Sequence, residues 1–119
     1  MNSVRAKLTP SLIRAVACML LVGFGTAAHA AGDAKAGSEK ARMCEACHGL
    51  DGVSKMPEAP NLAGQVQGYL VTQLSAFKAG QRHNEQMSVI VQALSPQEIE
   101  DLAAYYSAIQ VTVGKVPGR

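Results

Sequence analysis

Apolar residues follow two regimes along the chain. Residues 15–27, AVACMLLVGFGTA, form a nearly unbroken apolar run. From residue 31 onward apolar side chains instead recur three or four apart, the period of amphipathic helices, and no stretch alternates as a half-buried strand would. Three helices are predicted. The first spans about Ala34 to Cys44, with Asp33 as its cap and Lys, Glu, Ala and Arg as good helix formers. Gly37 is its exception, costing ~1 kcal/mol relative to alanine, and marks either a close approach by another element or a frayed first turn.

From Gly49 to Ala63 the sequence reads as loop, punctuated by Gly49, Gly52, Pro57, Pro60 and then Gly64, with Lys55 and Glu58 as solvated charges. The second helix covers about Val66 to Lys78, with Tyr69 or Leu70, Leu74 and Phe77 on one side and Gly80 as its stop. QRHNEQM after it is polar and irregular. The third helix has the strongest start signal, Ser95-Pro96-Gln97-Glu98: an N-cap serine, proline at the first helical position and glutamate three after the cap. Ile99, Leu102, Tyr106 and Ile109 recur on one of its faces. The tail VTVGKVPGR is expected to be loose.

The apolar run near the start is too short for a membrane helix, which needs roughly 20 residues. Arg5, Lys7 and Arg14 precede or flank it, and Ala28-His29-Ala30 follows with small residues, so residues 1–30 read as an export signal cleaved after Ala30. An uncleaved anchor is the alternative. Cys18 could suggest a lipoprotein, but it sits inside the run with only a few apolar residues between it and Arg14, so that reading is discounted. No stable membrane insertion is expected once the signal is removed.

Without those thirty residues, eight Lys and Arg face nine Asp and Glu, a net charge of −1 in place of the +2 of the whole chain. The basicity of the whole chain therefore says nothing about nucleic acid, and no basic run with interleaved aromatics appears. Residues 31–119 form one domain whose aromatics are Tyr69, Phe77, Tyr105 and Tyr106 and whose apolar residues are often alanine. A core that thin needs a staple, and a large bound cofactor would supply one.

MCEACHGLDG, residues 43–52, carries Cys44, Cys47 and His48. Structural zinc needs four ligands, and the other histidine after residue 30 is His83, alone. A thioredoxin-like pair belongs at a strand-to-helix junction that this chain lacks. A disulfide would close too short a loop to stabilise much and leaves His48 unexplained. Covalent attachment of one haem c uses all three residues: two thioether tethers and an iron ligand.

An iron-bound imidazole is usually oriented through its other nitrogen, and the carbonyl of Pro60, in EAPNLAGQ, is the candidate partner, with a plain turn proline as the alternative. For the second axial position Met43 abuts the attachment site, Met56 lies in the loop after His48 as packing, and Met87 sits where a loop can cross to the opposite haem face. Met87 is the best candidate. His83 would give a bis-histidine iron of lower potential.

With these residues in place the chain resembles the class I c-type cytochromes, in particular small bacterial periplasmic monohaem types similar to one half of the dihaem periplasmic cytochromes. GDAKAGSEKARMCEACHGLDG, APNLAGQ, YLVTQLSAFKAGQRHNEQM and LSPQEIEDLAAYY carry the resemblance in order. It implies an all-α class I cytochrome c fold, three main helices with loops wrapped around one covalently bound haem. It implies Cys44 and Cys47 as thioether links, His48 and Met87 as iron ligands, Pro60 as the carbonyl partner, and Tyr105 or Tyr106 packed over Gly37. One CxxCH block implies one haem.

The function so implied is one-electron transport in the periplasm, without enzymatic chemistry of its own. A monomer exchanging electrons with membrane or periplasmic redox proteins is expected, docking through an apolar patch around the haem edge. The rival readings are an electron-accepting subunit of a periplasmic oxidoreductase and a haem sensor with an open sixth position.

Overall fold

The computed structural model describes residues 31–118; the expected export signal, residues 1–30, lies outside them. Among the described residues there is no β-strand, and no helix is long and apolar enough to cross a membrane. The elements in chain order are α1 (Ala34–Lys40), a 3₁₀ turn (Ala41–Met43), α2 (Glu45–His48), α3 (Gln67–Lys78), α4 (Met87–Ile90), a second 3₁₀ turn (Val91–Ala93) and α5 (Pro96–Ala108).

The helix starts follow their caps. Asp33 Oδ1 accepts from the backbone N–H of Lys35 at 2.8 Å and opens α1. At α5 the capping box is complete: Ser95 Oγ accepts from the Glu98 N–H at 3.2 Å, and Glu98 Oε2 accepts from the Ser95 N–H at 2.8 Å. Each half satisfies an orphan donor of the first turn.

Helices α1 and α5 cross at Gly37. A Cβ at that position would collide with the Asp101 carbonyl oxygen and come within 2.8 Å of the Tyr105 Cβ. Close approach is therefore the reason for the glycine, and Tyr105 is the aromatic beside it, while Tyr106 turns into the core. The crossing is tied at both ends. The backbone N–H of Asp33 donates to Asp101 Oδ1 at 2.8 Å, and Lys40 pairs with Glu98.

The core comprises Ala41, Leu70, Phe77, Val91, Leu94, Ile99, Leu102, Ala103 and Tyr106. It gathers one face each of α3 and α5 around the two short turns. Leu70 is the buried member of the Tyr69/Leu70 pair, since Tyr69 is 49% exposed. Among the described residues Leu102 and Val91 are the largest side chains fully removed from solvent, so the core is as thin as its composition suggests.

The structure revises two expected boundaries. The first helix does not run unbroken to Cys44: it ends at Lys40 and tightens into the 3₁₀ turn, where the Cys44 N–H donates to the Ala41 carbonyl at 2.9 Å. This i→i+3 winding shifts the register, so a separate α-helical turn, α2, carries Cys47 and His48. The stretch before Met87 is irregular as expected, but Met87 itself begins α4. Residues 110–118 lie outside any helix and are exposed, with Val113 79% exposed.

Candidate functional site

The site starts from the α2 turn. The His48 N–H donates to the Cys44 carbonyl at 2.9 Å, which winds Cys44, Cys47 and His48 into one helical turn, and all three line the same cleft. His48 is 6% exposed, and the two cysteines are half-buried free thiols. Gly49 then leaves the turn at φ +71°, backbone that glycine adopts without a Cβ penalty.

The loop that follows is held by bonds other than a helical ladder. Tyr106 donates its hydroxyl to the Gly49 carbonyl at 3.2 Å and Tyr105 to the Leu50 carbonyl at 2.7 Å. The Lys55 N–H donates to the Cys47 carbonyl at 2.8 Å, and the Leu62 N–H to the Gly52 carbonyl at 2.8 Å. Asn61 Oδ1 accepts from the Ser54 N–H at 2.7 Å. The loop folded in this way brings the Pro60 carbonyl to 2.9 Å from His48 Nδ1. A carbonyl only accepts, so Nδ1 carries a proton, and in the neutral tautomer Nε2 is the free nitrogen.

Met87 is positioned from the other end of the cleft wall. Asn84 Oδ1 accepts from the Met87 N–H at 2.9 Å and the Gln86 N–H at 3.1 Å. In return the Asn84 N–H donates to Ser88 Oγ at 3.1 Å. Lys78 Nζ donates to the Gln92 carbonyl at 3.0 Å while Gln92 Nε2 donates to the Lys78 carbonyl at 3.3 Å, clasping α3 to the segment after α4. A polar stretch thereby fixes the methionine without a proline.

Cys44, Cys47, His48, Pro60 and Met87 all line the cleft, which has a volume of about 340 Å³. Met43, Met56 and His83 line it too, so lining alone does not select the second ligand. Of these three methionines, Met87 is the one packed against the buried core, Met43 is 38% exposed and His83 is exposed. The cleft reaches into the core, where Leu70, Phe77, Leu102, Ala103 and Tyr106 form part of its wall.

Burial pushes the Cys44 thiol up to about 11, against a partial lowering by the hydrogen bond with Tyr106, so this thiol is protonated at neutral pH. Burial likewise raises the Tyr106 phenol. Among the described residues no group of three or more His, Cys, Asp and Glu side chains could hold a metal ion by itself. The donor set, an imidazole whose Nδ1 is already bonded and thioether sulfur in an apolar cleft, suits the iron of a large flat cofactor. The residues fit haem.

Sequence reasoning passed over three groups in this site. The hydroxyls of Tyr105 and Tyr106 pin the loop, and the adjacent pair on the last helix was the available signal. Asn84, three before Met87, had the spacing of an Asx cap. Arg82 had no local signal as a lining residue.

A helical domain whose two thiols and buried imidazole share one turn and one apolar cleft is a covalent haem-binding domain. The chain belongs to the cytochrome c family: the Cytochrome c family model matches residues 34–109, and the domain carries a haem c. Cytochrome c4 of Pseudomonas aeruginosa is 44% identical over 99 residues, 83% of this chain and 49% of that protein. The crystal structure of reduced recombinant cytochrome c4 from Pseudomonas stutzeri superimposes with a TM-score of 0.65 at 44% identity, over 71% of this chain and 49% of that one. A protein named thiosulfate dehydrogenase electron acceptor, from Thiomonas intermedia, is 41% identical over 73 residues, 60% of this chain and 33% of its own length. The chain spans about half the length of the cytochromes c4 it matches.

Proposed function

We propose that this chain is a periplasmic one-electron carrier with a single haem c. In this reading Cys44 and Cys47 hold the haem by thioether bonds, each thiol adding across a vinyl group. His48 and Met87 ligate the iron, and Pro60 orients His48. When bound, the haem supplies a ferric/ferrous couple that turns over without bond breaking. His48, its Nδ1–H held by the Pro60 carbonyl, would present Nε2 to the iron. Leu70, Phe77 and Leu102 supply a low-dielectric wall.

The observation that carries this reading is the buried His48 with Nδ1 bonded to the Pro60 carbonyl, on the same turn and in the same cleft as both thiols. Support for a carrier comes from the likeness to cytochromes c4. The periplasmic assignment is supported by the signal reading of residues 1–30. Purification from the periplasm should give a red protein that begins at Ala31 and carries one haem by mass. A methionine-to-iron charge-transfer band in the oxidised spectrum should vanish in Met87→Ala. Colourless material, or a band that survives that substitution, contradicts the assignment.

A second reading is favoured by the likeness to the thiosulfate dehydrogenase electron acceptor: a cytochrome that receives electrons from a periplasmic oxidoreductase on another chain. The same haem serves both. Purification with a stoichiometric enzyme subunit would support this second reading, and a monodisperse red monomer the first.

A further inference from the structure

Arg82 is the single Lys or Arg side chain among the described residues that line the cleft. Its guanidinium is fixed on two sides. One Nη donates to Gln73 Oε1 at 2.6 Å, and Cζ lies 4.5 Å from the centroid of the Phe77 ring. Phe77 is a buried core residue, so the cation rests on a rigid platform. A guanidinium offers five N–H donors in one plane. Gln73 takes one, and no carboxylate pairs with Arg82 among the described residues.

We propose that Arg82 is the cationic partner of a carboxylate of the bound haem, one of its two propionates. This inference rests on the haem reading and adds to it a site for the anionic edge of the cofactor. A carboxylate brought against apolar walls loses hydration, a cost that is offset when a cation with hydrogen-bond donors meets it. The two charged side chains on the cleft other than histidine are Glu58 and Arg82; Glu58 would repel a propionate and Arg82 attracts it. Because Gln73 and Phe77 already hold the fork in place, little side-chain entropy is lost when the pair forms. The arginine also offsets the negative charge that favours ferric iron, so it raises the reduction potential.

The test is a redox titration of the haem-loaded protein and its Arg82→Gln, Arg82→Lys and Lys35→Gln variants, each checked for its methionine-to-iron band. Lys35 is an exposed residue of α1 that does not line the cleft. Arg82→Gln should lower the ferrous-to-ferric ratio at a fixed applied potential by roughly threefold to tenfold, as expected for loss of one charge at moderate effective dielectric. A tenfold change is about 59 mV for a one-electron couple. Arg82→Lys should recover more than half of the difference, and Lys35→Gln should change the ratio much less. An unmoved potential in Arg82→Gln overturns the proposal. So does an Arg82→Lys as low as Arg82→Gln, a Lys35→Gln that falls equally, or a band lost in Arg82→Gln, which would place the effect at the iron ligand. A colourless wild-type protein removes the haem reading and this inference together, whereas red protein with an unmoved potential removes only the inference.

Discussion

The imidazole of His48 and the carbonyl of Pro60, twelve residues apart, meet at 2.9 Å and place a proton on Nδ1. The contact uses the proline backbone, so the side chain at position 60 matters only through the rigidity it gives the loop. Pro60→Ala should keep the carbonyl, the tautomer and the visible spectrum. It should also free φ in the unfolded chain and lower stability by about 0.4–1 kcal/mol. For a domain of this size that is a fall in Tm of about 2–8 °C, measured by thermal unfolding of the haem-loaded protein.

Asn84 holds Met87 by an Asx cap, and loss of such a cap costs about 1 kcal/mol. In Asn84→Ala the segment that carries Met87 should open about fivefold more often. A pH titration of the methionine-to-iron band should show its loss at lower pH than in wild type, with haem content unchanged. A band that titrates identically in the two proteins contradicts this role.

Gly37 faces the carbonyl oxygen of Asp101 with no room for a Cβ. Gly37→Ala must push α1 away from α5, an overpacking cost of about 1–3 kcal/mol. Chemical denaturation should show a lower midpoint at unchanged slope.

Glu98 joins two devices, the α5 capping box and the pair with Lys40. The hydrogen bond from Lys40, with the Ser95 backbone N–H second, lowers its carboxyl to about 2 from an ordinary 4.5. A carboxyl whose folded pKa is depressed stabilises the fold fully above its unfolded pKa, and that contribution is lost as pH falls through the folded value. Stability measured from pH 6 down to pH 2 should therefore fall between about pH 4.5 and 2 more steeply in wild type than in Glu98→Gln. At pH 6 Ser95→Ala should lose ~1 kcal/mol.

Among the described residues the cleft is lined by one carboxylate and, histidines aside, one cation, Glu58 and Arg82, beside exposed neutral groups such as Tyr69, Asn61 and Gln86. With no field of one sign to steer a partner, the electron-transfer rate should vary little with salt. Stopped-flow rates with a periplasmic or membrane redox partner should change less than roughly threefold between low and physiological ionic strength; a steep fall contradicts an apolar docking face.

Much of this protein was settled by the order of its residues. Helix starts at Asp33 and Ser95 are local hydrogen-bond chemistry, and the period of Leu70, Leu74 and Phe77 needs no partner to be read. The Cys44-x-x-Cys47-His48 spacing confines its chemistry to five positions, so a haem c was legible before any fold. The tertiary structure alone decided what depends on distance through space. It chose Leu70 over Tyr69 and close packing over fraying at Gly37, and it broke the first helix at Lys40 because the turn carrying His48 needs its own register. It also brought Arg82, Gln73 and Phe77 together and set the Tyr105 and Tyr106 hydroxyls on carbonyls more than fifty residues away. Caps and helical periods depend on neighbours within four residues, whereas those contacts exist only after α1, α3 and α5 have packed.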